Sequence, residues 1–262
     1  MRRSLLPIVL MIFMLFSLGS CSDKFSNKNR ISSLRLFSED GKESGISDIE
    51  GEKKLLMFFP DDSGYKSEAA YKLTEIFGDT VHVIAVFKEQ IPDEMKEVFA
   101  DDKTDWYYCN SKSIFKEEVQ IFLTDKDGKI LGTFGSSFAG AAAEMASDCD
   151  KEELRRKITG FLISENEESF SGDTLLIAYK PSCGKCAEML QRVYSRKDRL
   201  KEKYNLVTLV SGADELHPEF GDFTVIDVSE IYLKALRLEN NMGFFLIQNG
   251  EYIGSVEENQ LY

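Results

Sequence analysis

The chain has 262 residues, 43% of them hydrophobic and 29% charged, which is the balance of a soluble globular protein holding one large domain or two small ones. Its formal net charge of −13 excludes nucleic acid as a partner, because a polyanion would be repelled and no basic stripe interrupts the acidic background. Two histidines and five cysteines bound the metal and redox chemistry open to it.

The N-terminus begins with a positive patch, Arg2-Arg3, followed by an apolar stretch from Leu5 to Leu18. That stretch is short for a membrane-spanning helix and has the length of a signal-peptide core. It ends in Leu18-Gly19-Ser20-Cys21, which resembles a bacterial lipobox: an apolar residue, two small residues, then cysteine. The resemblance implies that residues 1–20 are removed as a signal peptide and that the Cys21 sulfur carries lipid. Two or three acyl chains give stable membrane attachment where one is marginal. An ordinary cleaved signal with an incidental Cys21 is the competing reading. Residues 21–33, rich in Ser, Asn and Lys, read as a tether. The mature chain is expected outside the cytoplasm in a bacterial envelope, on the periplasmic face or the cell surface, where conditions are oxidising.

Leu55 to Phe59 is an apolar run and reads as a buried strand, with a helix over 66–77 and a second strand from Val81 to Phe87. A helix is expected from Asp93 to Ala100. Asp127-Gly128, between apolar strands in Ile121 to Gly132, is a strong hairpin-turn signal. Trp106-Tyr107-Tyr108 is expected in the core, Cys109 half-buried on a strand, and His82 on a strand face. Residues 139–168 read as a helix and an acidic, Ser-rich linker, which bounds a first unit at 34–138 and a second at 169–262. Cys149, between Asp148 and Asp150, is expected to have blunted reactivity. A 109–149 disulfide stays open, since connectivity is not legible in sequence. In the second unit, strands are expected at Leu175 to Tyr179 and Leu206 to Val210, and helices at 183–203 and 230–239. A hairpin turn is expected at Asn249-Gly250, and His217 reads as a loop residue.

The two units repeat each other. Leu55–Gly64 (LLMFFPDDSG) can be laid over Leu175–Gly184 (LLIAYKPSCG). Ile121–Gly132 likewise covers Phe244–Gly254, with one residue removed at the turn. Two motifs at nearly equal separation argue for a tandem pair of related α/β units, each with a mixed parallel and antiparallel sheet.

Cys183-Gly184-Lys185-Cys186 admits three readings: a redox pair, part of a metal site, or a structural disulfide. Zinc takes three or four ligands, and neither a second CxxC nor spaced histidines accompany the pair. A CxxC directly after an apolar strand, opening a helix, with a hairpin downstream, resembles a thioredoxin-like domain over Leu175 to Gly254. The first half is similar to the thioredoxin or peroxiredoxin group through LLMFFPDDSGY, VHVIAVF and IFLTDKDGKILG, as a degenerate copy with Ser63 and Lys66 in place of the cysteines. The resemblance implies two tandem thioredoxin-like domains, a redox-active Cys183–Cys186 disulfide without further cofactor, and a membrane-anchored thiol–disulfide oxidoreductase. Its partners would be a protein thiol or disulfide and an electron donor or acceptor. On that reading Pro181 ends the strand and Ser182 caps the helix. Free amides, the helix dipole and Lys185 favour a thiolate at Cys183, the nucleophile. Cys186, one turn deeper, resolves the mixed disulfide, and Gly184 keeps bulk away from the partner.

The chain departs from the family at two places. Thioredoxin-like domains place a cis-proline just before the hairpin strand; here the matching positions are Met242 and Val119, with Gly243 left to permit close backbone approach. The family often carries a buried carboxylate beneath the pair, where Ile177 stands. Both departures keep open a second function, a lipid-anchored interaction module whose CGKC is only structural. Ser63 and Lys66 also have the spacing of an acylating Ser–Lys pair, but no second matching motif supports that chemistry.

Overall fold

Parallel strands buried on both faces need unbroken apolar runs, and the chain has two such runs, at the centres of two sheets. The computed structural model describes residues 31–60, 64–89, 104–111, 114–180, 184–212 and 222–261, and of residues 64–67 and 240 the backbone alone. The first sheet comprises β1 (Arg35–Phe37), β2 (Glu43–Gly45), β3 (Lys53–Phe59), β4 (His82–Phe87), β5 (Asp105–Tyr108), β6 (Gln120–Asp125) and β7 (Ile130–Gly135). The second comprises β8 (Thr174–Tyr179), β9 (Asn205–Val210), β10 (Thr224–Asp227), β11 (Met242–Gln248) and β12 (Glu251–Val256).

The strand orders are β2-β1-β5-β4-β3-β6-β7 and β10-β9-β8-β11-β12. Without β1 and β2, the two orders coincide. In each sheet a central strand lies parallel to the next strand in the chain, which is parallel to a third, and the hairpin runs antiparallel on the other side. This is a mixed α/β architecture, in two mixed parallel and antiparallel sheets flanked by helices. The hairpins differ as their sequences dictate. Asn249 and Gly250 both take left-handed φ, 51° and 77°, in a two-residue turn. The first hairpin has four residues between Asp125 and Ile130, and only Gly128 is left-handed there, at φ 78°.

Six helices are described: α1 (Gly64–Phe77), α2 (Phe138–Ser147), α3 (Lys151–Glu165), α4 (Gly184–Tyr194), α5 (Lys197–Lys201) and α6 (Glu230–Ala235). The single helix expected over 183–203 is two, α4 and α5, interrupted at Ser195-Arg196. The helix expected over 230–239 stops at Ala235, because Arg237 turns left-handed at φ 49°. The acidic stretch read as linker is mostly α3. Asp150 caps it by accepting the Glu153 N–H at 2.8 Å, and Glu152 and Glu153 lie in the first turn, where the helix dipole favours negative charge. Ile31, placed in the tether by its polar neighbours, is fully buried. The helix expected over 93–100, the signal and Cys21 lie outside the described residues. Among the described residues no helix is long and apolar enough to cross a membrane.

Three buried clusters layer the molecule. The central one joins Leu55, Met57 and Phe59 of β3 to Leu176 and Ala178 of β8 through α1, α2, α3 and α6, so these helices form a layer shared by both sheets. Tyr71, Phe161 and Tyr232, from α1, α3 and α6, make an aromatic column through it, with ring centroids 6.5 and 5.8 Å apart. The second cluster packs α4 and α5 on the outer face of the second sheet, against Leu175, Ile177 and Tyr179. The third covers the outer face of the first sheet with Ile31, Leu34, Ile46, Cys109 and Ile114.

Arg155 ties the layer to the second sheet. Buried on α3, it donates to the carbonyls of Leu236 at 3.0 Å and Arg237 at 3.2 Å, to Glu152 Oε1 at 2.8 Å and to Ser255 Oγ at 2.7 Å. Arg237 in turn donates to the carbonyls of Ala146 and Cys149 at the end of α2. Partial burial opposes the Glu152 charge, but hydrogen bonds from Tyr252, Arg155 and Ser255 outweigh it and hold this carboxyl below its ordinary range.

Candidate functional site

The CGKC segment spans the junction between β8, which ends at Tyr179, and α4, which begins at Gly184. Pro181, Ser182 and Cys183 lie outside the described residues. Gly184 and Lys185 are exposed in the first turn of α4, and a Cβ built on Gly184 meets nothing within 4 Å, so the helix start faces open space. Cys186 points the other way. It is 1% exposed and shares the inward side of α4 with Leu190 and Val193, as spacings of four and seven residues require.

Beneath Cys186 lie Ile177, Tyr179, Met242 and Phe244, all buried, so the position of the family's buried carboxylate is apolar. Burial, and secondarily the proximity of Cys186, push the Tyr179 phenol up to about 12, which keeps it protonated at neutral pH. The Cys186 thiol donates to the Asn241 carbonyl at 3.5 Å, and the Lys180 N–H donates to the same oxygen at 3.0 Å. Lys180 Nζ sits 3.3 Å from Glu230 Oε1, so its charge is shared with a carboxylate rather than free for the cysteines.

Met242, at the matching position for the family's proline, is extended and buried, and it pairs with Tyr179 across the sheet. No cis peptide bond occurs among the described residues. Gly243 pairs with Ala178, and a Cβ there would stand 2.9 Å from the Phe245 ring and 3.0 Å from Leu238 Cδ2. Internal packing therefore requires this glycine, whereas the sequence suggested room for a partner's backbone.

In the first half, Val119 is fully buried just before β6, Ser63 lies outside the described residues, and Lys66 is described by backbone alone. A cleft of about 680 Å3 opens there between the two halves, lined by Glu68, Val119 and Phe138 on one side and Asp227, Glu230 and Ile231 on the other. Cys109 and Cys149 are free thiols. Cys109 follows β5 rather than sitting half-buried within it; it is 1% exposed in the third cluster, and burial pushes its thiol up. Cys149 packs against the central cluster, so the sheet separates the two and no 109–149 bridge forms. His82 lies half-buried on β4 and bonds Asp105 at 2.9 Å; His217 lies outside the described residues.

Two contributors escaped the sequence. Asn241 was visible only as a polar loop residue, although Asn-Asn before a strand is a signal for left-handed backbone. Arg155 lies in the acidic 139–168 stretch, where nothing in the sequence marks it for burial.

No protein-family model matches the sequence, and no curated protein does. Among solved structures the chain is similar to a thioredoxin-like protein from Bacteroides caccae, at 12% identity over 47% of this chain and 51% of that one, with a TM-score of 0.37. It is also similar to the pneumococcal exposed lipoprotein thioredoxin of Streptococcus pneumoniae, at 18% identity over 43% of this chain and 97% of that one, with a TM-score of 0.34. A peroxiredoxin-like protein from Aquifex aeolicus gives 14% identity over 39% and 71%, with a TM-score of 0.32. The match spans about half the length of the Bacteroides caccae chain.

Proposed function

We propose that the protein is a lipid-anchored thiol–disulfide oxidoreductase of the bacterial envelope, exchanging disulfides with a protein partner through Cys183 and Cys186. The observation that carries the reading is the placing of Cys186. The motif lies where β8 gives way to α4, and its second cysteine is buried in the first turn of that helix, bonded to the loop that faces it. In the sequence Cys183 immediately precedes α4, where helix amides favour a thiolate. Its sulfur attacks the partner's disulfide and one partner sulfur leaves as thiolate. Cys186 displaces the other from the mixed disulfide, and the protein's own pair ends oxidised. The reverse sequence oxidises a partner dithiol. No further cofactor is required. The first half, a counterpart of the second with Ser63 and Lys66 in place of the cysteine pair, serves as a platform, and Cys21 anchors the whole to the membrane.

The apolar floor at Ile177 and the lack of a proline at Met242 favour a second reading, an interaction module with a structural CGKC bridge. Turnover of a disulfide substrate separates the two. Residues 31–262 should lose at least about a hundredfold in rate on Cys183→Ser, which removes the proposed nucleophile. Equal rates in the two proteins would remove the nucleophile assignment and leave the module. A Cys186→Ser variant should accumulate a mixed disulfide with the partner, identifiable by mass spectrometry.

A further inference from the structure

The turn that ends at Asn241 leads directly into Met242, opposite the end of β8. Asn241 has φ 62°, a left-handed conformation that asparagine adopts more readily than most residues. Its carbonyl points inward although the residue itself is exposed, and it accepts two donors. One is the N–H of Lys180, which leads from β8 into CGKC. The other is the thiol of Cys186, which closes the motif. A single oxygen therefore fixes both ends of the segment.

We propose that Asn241 is a positioning residue for the exchange reaction, its inward carbonyl holding the Cys186 thiol protonated and aimed until resolution. This rests on the exchange reading above. A carbonyl oxygen accepts an S–H but repels a thiolate, so the bond favours the neutral form. The packing acts in the same direction. Ile177, Leu190, Met242 and Phe244 offer no charge to a thiolate, and the Tyr179 phenol stays neutral. The charged groups at this end, Lys180 and Glu230, pair with each other at the exposed rim, and Lys185 points to solvent. In the resolving step the Cys186 sulfur bonds to the Cys183 sulfur, the bond from Cys183 to the partner breaks, and the thiol proton leaves with the partner's sulfur. No outside oxidant or reductant enters that step.

The test is residue-resolved alkylation of the reduced full chain with iodoacetamide at pH 7, read by mass spectrometry at Cys186 and, as internal reference, at Cys109. Asn241→Gly keeps the left-handed backbone at no steric cost and should alkylate within about twofold of the parent. Asn241→Val resists positive φ, so the carbonyl turns away and Cys186 should react about fivefold faster while Cys109 does not change. If Asn241→Val fails to fold, Asn241→Ala should give a smaller rise of the same sign. Three results overturn the proposal: no rise in the substituted chain, an equal rise with Gly, or a parallel rise at Cys109. Absent disulfide turnover with this alkylation pattern intact would sink the exchange reading instead and leave the hydrogen bond standing.

Discussion

The two halves of the molecule have the same strand order, yet they turn opposite faces to the helices between them. Alternate residues of β3, namely Leu55, Met57 and Phe59, meet α1 inside the shared layer. The corresponding residues of β8, namely Leu175, Ile177 and Tyr179, meet α4 on the outside of the molecule. The helix that follows the first central strand is thus walled by α2, α3 and α6, while the helix that follows the second is open to solvent at its start. The half that retains CGKC is the half whose helix start faces outward. Packing, and not strand topology, separates the two halves: α1 lies inside the shared layer and α4 outside it.

Separating the halves should break this comparison most severely. Residues 169–262 alone would bare Leu176, Val207, Leu209, Phe245 and Ile247, each contributing roughly 1.5–3 kcal/mol when buried. Together these match or exceed the roughly 5–15 kcal/mol that holds an ordinary domain. That fragment should show no cooperative thermal transition by circular dichroism, and residues 138–262 should regain one by restoring α2 and α3. A sharp transition for 169–262 would make the halves independent. Arg155→Ala comes next. It strands the carbonyls of Leu236 and Arg237 in the interior and should cost about 3 kcal/mol in urea unfolding, and a loss below about 1 kcal/mol would mean the clamp holds nothing. The smallest effect contrasts two glycines of the second half. Gly243→Ala should cost about 1 kcal/mol because its Cβ meets a buried ring, and Gly184→Ala should stay within about 0.5 kcal/mol because its Cβ meets nothing. Equal costs would erase the distinction between the packed and the open side of the site.

The central strands were legible because runs such as LLMFF and LLIAY leave a parallel strand little alternative, and the hairpins because Asp-Gly and Asn-Gly demand left-handed backbone. The repeat followed from those same four landmarks. What stayed hidden has a common cause. A strand apolar on both faces does not announce which face will meet the other half, so the shared helical layer was invisible. Residues 151–165 looked like a linker because the acidic cap and first turn of α3 resemble a solvated tail. At the site, the place of Cys186 in a helix after a strand was legible, whereas the Asn241 carbonyl that accepts from it depends on backbone geometry that the side chain only hints at.

The helical stratum common to both sheets has a mechanical consequence. Two lobes joined by a flexible strap can close on a guest like a clamshell, but lobes pressed against one filling of side chains cannot swing without tearing it. The cleft lined by Phe138 and Ile231 lies against that same filling.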